Sequence, residues 1–227
     1  MSLREVREDM SYQNLVKKLS EQIDGETIAL LPTSGKLLLL GSQDSIFLKS
    51  IMRKADSLGI KYDHTFHLTP PYRGAVVDTE TCPDDLRLSS DVDIDHSFSD
   101  GLSSVSKGVL ALLLAADLVH KKNITIVGRG HAVKGLAPAL IYNNATVTVA
   151  HSKTTSLLQA TQNRDVVIYA TPTIKKEISY NTGELVIDLG NAVPHPDRLS
   201  CEYINHIGQL TVSVLLNRFV KAVSWVS

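Results

Sequence analysis

Short apolar runs alternate with helical segments along the second half of the chain, and this alternation constrains the fold more than any other feature. Runs that favour strands cover residues 124–127, 146–150, 165–169 and 185–188. Helical spacing is predicted for 107–121, 132–142 and 155–161. Apolar strands joined by helices are typical of a parallel sheet that is covered on both faces. The sequence therefore predicts a Rossmann-like, doubly wound lobe.

The first half of the chain has a weaker pattern of the same kind. An amphipathic helix is predicted over 11–23 and expected to stop at Gly25, and an apolar run at 36–41 precedes a helix that Gly59 ends. A further strand is predicted at 75–77, whereas 64–100 is rich in Pro, Asp, Ser and Thr and has no readable pattern. The terminal segment, 211–223, has a wide apolar helical face that must be buried.

We therefore predict an α/β protein with two lobes. The carboxy-terminal lobe, a Rossmann-like doubly wound parallel sheet, is expected over 104–207, and a smaller, trimmed α/β lobe is expected from 1–103 plus 208–227. A chain of 227 residues fits two modest lobes, since single cores rarely exceed roughly 250 residues. The small first lobe has few helices to cover its sheet, so the terminal helix is expected to pack against it.

Composition excludes several classes of protein. Lys and Arg number 23 against 24 Asp and Glu, so no overall field favours nucleic acid or an anionic membrane as a partner. The longest apolar stretches are far shorter than the roughly 20 residues that span a bilayer. Two cysteines give neither a disulfide framework nor a zinc set, and no metal is expected. With no signal-peptide pattern, these features predict a cytoplasmic protein.

Candidate binding residues follow two of the predicted strands. Gly128, Arg129 and Gly130 come directly after 124–127, where a tight turn lets backbone N–H groups approach a phosphate. His151 and Ser152 follow the next strand, at a place where the fold usually presents an acidic ribose-binding residue. A hydroxyl and nearby cations favour a 2′-phosphate instead, hence NADP over NAD. The alternatives are glycines that merely close a turn, and a polar helix cap.

Together these stretches resemble the bifunctional methylenetetrahydrofolate dehydrogenase/methenyltetrahydrofolate cyclohydrolase family. The matching runs are Lys107-Gly108, Ile126-Val127-Gly128-Arg129, Asn144-Ala145-Thr146-Val147-Thr148, His151-Ser152-Lys153-Thr154, Val186-Ile187-Asp188, Gly190, and Gly208 with Thr211-Val212. The resemblance implies that Arg129 and Ser152 hold the 2′-phosphate of NADP, with Gly128, Gly130 and His151 beside the cofactor. It also implies a folate-type substrate contacted by Asp93, Gly208 and Thr211. A homodimer is expected.

The first lobe departs from this family at its catalytic positions. Counting back from Gly59, the family's Tyr and Lys fall on Phe47 and Ile51, and its Gln falls on Asp78. The phenol and ammonium that assist ring opening and closure in the family are therefore absent. Lys54 is one turn from Ile51 and is a possible substitute. The cyclohydrolase half is expected to be impaired, because it needs proton transfer to and from water.

Three hypotheses follow from these residues. The first is an NADP-dependent methylenetetrahydrofolate dehydrogenase, since hydride transfer depends chiefly on orientation of donor and acceptor. The second is a catalytically inactive family descendant that serves as a nucleotide-binding or partner module. The third is a shikimate-dehydrogenase-like oxidoreductase, because the fold hosts many chemistries, although that family's Lys-Asp pair is not apparent here.

Overall fold

The computed structural model describes residues 11–31, 36–65, 74–77, 88, 92–96 and 101–224. The chain divides into two compact units, and it passes between them at 17/18, 104/105 and 208/209. One unit therefore combines an early segment with the chain's last helix, and the other contains the long central segment.

The unit that includes the last helix is built on three parallel strands in the order β2-β1-β3, counted over the described residues. The strands are β1 (Leu37–Leu40), β2 (Tyr62–Thr65) and β3 (Ala75–Val77). The helices are α2 (Ile46–Leu58), the terminal α6 (Gly208–Ser224) and, from residue 18 onward, α1 (Tyr12–Ala29). Every residue of β1 is buried, as expected for the central strand of a covered sheet. One core cluster joins this sheet to α2 and α6 through residues such as Leu39, Ile51 and Phe219.

Local sequence explains where α2 begins and ends. The hydroxyl of Ser45 accepts a hydrogen bond from the backbone N–H of Leu48, which caps the first turn. Gly59 follows the last turn with a φ of 73°, a left-handed conformation that glycine adopts without strain. At α6, the side chain of Asn217 donates to Thr27 of α1 over 3.0 Å, and this buried bond ties the two helices together.

The other unit has five parallel strands, again counted over the described residues, in the order β5-β4-β6-β7-β8. The strands are β4 (Asn123–Val127), β5 (Thr146–Ala150), β6 (Val166–Tyr169), β7 (Leu185–Asp188) and β8 (Glu202–Ile204), with helices α3 (Ser104–Ala115), α4 (Leu136–Tyr142) and α5 (Leu157–Thr161). The strand order reverses at β4, because β5 lies on one side of it and β6 on the other. Such a reversal opens a crevice at the carboxyl ends of the strands. The predicted α/β fold with a doubly wound parallel sheet is confirmed.

Several predicted boundaries are wrong. Helix α1 continues past Gly25 to Ala29, and α3 ends at Ala115 instead of 121. Asp117 and Lys121 have φ values of 58° and 60°, so the backbone beyond Ala115 cannot continue a right-handed helix. Strands β2 and β8 are short and only partly buried, and the sequence analysis missed both because they lack apolar runs. Among the described residues, no helix is both long and apolar enough to cross a bilayer.

Candidate functional site: a cationic cleft at the carboxyl ends of three strands

The turn after β4 depends on Gly128. Its φ is 127°, and a Cβ at this position would lie 2.5 Å from the carbonyl oxygen of Ala170, the residue that follows β6. The backbone N–H of Gly128 donates to Ala150, and that of Ala170 donates to Val127, both over 2.8 Å. Gly128 therefore holds the ends of the three strands together, which is a structural reason for this glycine.

No contact among the described residues requires a glycine at position 130. Its φ of −75° is accessible to any residue, and no heavy atom lies within 4 Å of the position that a Cβ would take. Gly130 lines a cleft formed by the loops after β4, β5 and β6. A glycine that the protein itself does not require, at the wall of a cleft, leaves room for a bound group to approach the backbone.

The segment after Gly130 differs from the predicted helix. A short 3-10 turn covers His131–Val133, and Gly135, with a φ of 75°, separates it from α4. The α-helix thus begins at Leu136 and spans seven residues, whereas the sequence predicted a helix from about 132. An anion in the cleft would therefore be held by side chains and loop backbone, not by a long helix that starts at the turn.

The turn after β5 is closed by its own hydrogen bonds. The backbone N–H of His151 donates to the hydroxyl oxygen of Thr154 over 2.9 Å, and the N–H of Thr154 donates back to the carbonyl of His151 over 2.9 Å. The N–H of Lys153 donates to Nδ1 of His151 over 3.2 Å, so this ring nitrogen acts as an acceptor. Ser152 is exposed at the tip and lines the cleft.

The loop after β6 forms the third wall, which the sequence analysis missed. It contributes Thr171, Lys175 and Lys176 among other residues. The ammonium group of Lys176 donates to the carbonyl oxygen of Thr154 in the turn after β5. A sequence signal existed, because these lysines follow the third strand of the lobe and the carboxyl ends of parallel strands meet at one edge.

The cleft brings five of the predicted residues together: Gly128, Arg129, Gly130, His151 and Ser152. Its volume is about 560 Å³, within the range of small-molecule and cofactor sites. The lining includes the cationic side chains of Arg129, Lys175 and Lys176, and among the described residues it includes no carboxylate. This imbalance within a chain of net charge −1 favours an anionic ligand.

The loop after β7 packs against the loop after β6 and so supports the cleft. A Cβ on Gly190 would lie 2.1 Å from the carbonyl oxygen of Thr171, so glycine is needed where this loop meets the third wall. The buried carboxylate of Asp188 accepts hydrogen bonds from the backbone N–H groups of Gly190, Ala192 and Val193 and from the hydroxyl of Tyr203. Burial, followed by the charge of Asp188, raises the pKa of Tyr203 to about 12. Asp188 therefore organises the loop and is not free to contact a ligand.

In the other unit, the two positions to which the resemblance assigns the family's Tyr and Lys belong to the core. Ile51 is fully buried in the cluster that joins β1, α2 and α6, and Phe47 is half-buried against the same cluster. Lys54, the possible substitute, is ion-paired with Asp24 of α1. The ammonium of Lys54 is thus engaged by a carboxylate within its own unit.

The remaining predicted site residues do not line the cleft. Asp93 is buried and forms an isolated parallel bridge with Ala75 of β3. Gly208 begins α6, and Thr211 is buried in its first turn. Asp78 lies outside the described residues.

Comparison with known families identifies the central segment. Residues 103–202 match the family model for the NAD(P)-binding domain of tetrahydrofolate dehydrogenase/cyclohydrolase. The bifunctional protein FolD of Lactobacillus helveticus is 32% identical over 138 residues, a match that covers 52% of this chain and 48% of that protein. The match to FolD of Lactobacillus acidophilus covers 32% of that relative. The matched segments thus span about half or less of these relatives.

Solved structures show the same fold over most of the chain. The N5,N10-methylenetetrahydrofolate dehydrogenase-cyclohydrolase of Trypanosoma brucei, solved with NADP and an inhibitor, aligns with a TM-score of 0.69 at 18% identity and covers 96% of this chain and 97% of that one. The NAD-dependent 5,10-methylenetetrahydrofolate dehydrogenase of Saccharomyces cerevisiae aligns with a TM-score of 0.69 at 15% identity, with 93% and 96% covered. The two neighbours share the fold and differ in the nicotinamide cofactor that they use.

Proposed function

Because residues 103–202 match the NAD(P)-binding domain of the tetrahydrofolate dehydrogenase/cyclohydrolase family, we propose that the chain binds NADP in the cationic cleft. We further propose that it acts as a methylenetetrahydrofolate dehydrogenase-type oxidoreductase with an impaired cyclohydrolase half. The observation that carries the nucleotide site is the combination of three cationic side chains, no carboxylate and the open space beside Gly130. In this proposal residues 104–207 form the cofactor domain, and 1–103 plus 208–227 form the folate lobe.

The residues of the cleft fit a dinucleotide phosphate. The backbone at Gly130 leaves room for close approach, and the cleft volume suits part of a nucleotide. The family match over 103–202 supports the same site and disfavours the shikimate-dehydrogenase-like alternative. When bound, the nicotinamide cofactor supplies the hydride acceptor, and the protein supplies binding and orientation.

The preference for NADP over NAD rests on Arg129 and Ser152. Both are exposed at the wall of the cleft, on the turns after β4 and β5. A guanidinium and a hydroxyl suit a 2′-phosphate, whereas a ribose 2′-hydroxyl is usually read by a carboxylate, and the cleft lining contains none. His151 contributes through its turn, since its Nδ1 is already engaged by the backbone of Lys153.

Calorimetric titration with both nucleotides tests this preference. We expect Arg129→Ala to weaken NADP binding about ten- to hundredfold with NAD little changed, because a charge-assisted contact contributes roughly 1.5–3 kcal/mol. Arg53→Ala is the matched control, since Arg53 is an exposed arginine on α2. Equal losses for both nucleotides in Arg129→Ala would refute the assignment.

The proposal that cyclohydrolase activity is impaired rests on the burial of Ile51. The family's general acid–base chemistry requires an ammonium near the reacting bridge, and this chain presents hydrocarbon that is packed inside a core. Lys54 is a poor replacement because Asp24 engages it. We expect hydrolysis of methenyltetrahydrofolate to be undetectable or very weak. A rate typical of working enzymes, about 1–1000 per second, would show that this interpretation is wrong.

The same observation favours a second candidate, an inactive family descendant that binds a nucleotide or a partner. A steady-state assay of NADP reduction with methylenetetrahydrofolate separates the two candidates. Turnover supports the dehydrogenase, whereas NADP binding without turnover supports the inactive module. The resemblance implies that Asp93 contacts the folate, so the burial of this residue is relevant to whether a folate can bind.

A homodimer is supported by the edge of the five-stranded sheet. Strand β5 lies at that edge over the described residues, and its five residues carry no charge and no proline. Val149, Ile141 and Tyr142 are exposed apolar side chains on β5 and the neighbouring α4. An uncharged, open edge strand readily pairs with another strand. We expect light scattering to show a dimer, and Val149→Lys to shift it towards monomer. A cytoplasmic location stays a prediction.

A further inference from the structure

A hydrogen bond crosses the cleft between two loops that do not follow neighbouring strands. Lys176, after β6, donates to the carbonyl oxygen of Thr154, after β5. Strand β4 lies between β5 and β6, and neighbouring strands are about 4.8 Å apart, so the two strands are separated by about 10 Å. The bond therefore links the loops on either side of β4, and Lys176 lines the same cleft as Gly128, Arg129 and Gly130 of the turn after β4.

Thr154 is the residue that closes the turn carrying Ser152. Its hydroxyl and its N–H both bond to the backbone of His151, so the position of Thr154 determines the position of the turn. These bonds are local and hold the shape of the turn. The bond from Lys176 is long-range and ties the turn to the opposite wall of the cleft.

We propose that Lys176 is a positioning residue that determines cofactor specificity. By holding the carbonyl of Thr154, it keeps the turn of residues 151–154 at a fixed distance from the loop after β6, so that Ser152 meets the 2′-phosphate of a dinucleotide. This inference rests on the proposed function of the cleft. The resemblance assigns no role to Lys176.

Lys175 provides a matched control. It is the preceding residue, is exposed, lines the same cleft and carries the same charge. It forms no hydrogen bond with another residue in the described part of the chain. Lys175→Met and Lys176→Met therefore remove the same charge, and only the second removes the bond to Thr154. Lys176→Arg retains a donor of similar reach and should rescue positioning.

Two measurements on the full chain test the proposal. Calorimetric titration with NADP and NAD should show that Lys176→Met weakens NADP binding about tenfold and NAD binding less than about threefold. Lys175→Met removes a charge from the same cleft and keeps the bond to Thr154, so it should weaken NADP and NAD binding to a similar extent and leave the ratio of the two affinities within about threefold of the unchanged protein. Lys176→Arg should resemble the unchanged protein. Amide hydrogen exchange, without nucleotide, should be faster at His151 and Thr154 in Lys176→Met alone.

The outcomes separate the two levels of inference. If Lys176→Met and Lys175→Met change the ratio of NADP to NAD affinity alike, or if Lys176→Met loses NADP and NAD equally, Lys176 has no role in specificity. Unchanged hydrogen exchange in Lys176→Met would equally overturn its positioning role. If the unchanged protein binds neither nucleotide, the proposed function fails and the specificity role fails with it, and the exchange data then decide separately whether Lys176 holds the turn.

Discussion

Replacing Ile51 by lysine introduces the residue type that the resemblance implies for this position, and we expect it to destabilise the protein without restoring cyclohydrolase activity. Ile51 is fully buried and packs in one cluster with Leu39, Leu48 and Phe219, all within one unit. An ammonium at this site would lie among hydrocarbon side chains. The perturbation therefore acts on the core before it acts on any chemistry.

The expected magnitude follows from burial. Losing the packing of an isoleucine costs roughly 2 kcal/mol, part of which the aliphatic stem of lysine recovers. Fully buried lysines can have pKa values near 5–6, so at pH 7 the residue must give up its proton. The 3–4 pKa units between its ordinary pKa and pH 7 correspond to about 4–5 kcal/mol at 1.36 kcal/mol per unit. The total, about 5–7 kcal/mol, approaches the whole stability of a typical domain.

Urea denaturation monitored by circular dichroism measures this loss. Ile51→Met is the matched control, since a volume-conserving apolar change costs less than about 1.5 kcal/mol. The folded state of Ile51→Lys binds fewer protons than the unfolded state, so its deficit should shrink as the pH rises from 7 towards 10. Wild-type stability for Ile51→Lys at pH 7, or cyclohydrolase turnover in Phe47→Tyr/Ile51→Lys, would refute the reasoning.

Two further predictions concern the cleft and its support. Gly130→Ala should melt at the wild-type temperature but lose NADP affinity about tenfold or more. Gly128→Ala should melt at a lower temperature, because its Cβ would meet the carbonyl of Ala170, and equal melting temperatures of the two variants would contradict this. Tyr203→Phe should lower the free energy of unfolding by about 1–2 kcal/mol, because Asp188 loses a hydroxyl donor. Burial and Asp188 raise the pKa of Tyr203 to about 12, so the difference from wild type should be full below pH 10 and fade between pH 10 and 12, and its persistence at pH 12 would count against the assignment.

Sequence reasoning worked where an element is specified by its own residues. Strands β4 to β7 were predicted within a residue or two, because each is a short run made mostly of apolar or β-branched side chains. The end of α3 was mispredicted because helical spacing continues in the sequence where the backbone is no longer helical. The end of α1 was mispredicted because Gly25 is tolerated inside a helix that packing holds in place. Within residues 64–100 the sequence predicted only the strand at 75–77, which is β3 of the structure, and most of the other residues lie outside the described part of the chain.

The sequence by itself determined one side of the candidate site. Gly128, Arg129, Gly130, His151 and Ser152 follow two strands of a parallel sheet, and such strands end at one edge, so their proximity follows from the alternation alone. Through the resemblance, it also predicted that an isoleucine stands at the family's lysine position. Both conclusions depend on short stretches of sequence and not on contacts between distant residues.

Tertiary structure decided what these positions are in contact with. The bond between Lys176 and Thr154 joins residues 22 apart through loops of non-adjacent strands, and no local pattern encodes that contact. The burial of Ile51 likewise depends on α6, whose Phe219 lies far along the chain. Contacts of this kind exist only after the sheets have formed, because strand order, which sets which loops meet, is a property of the assembled sheet and not of any one segment.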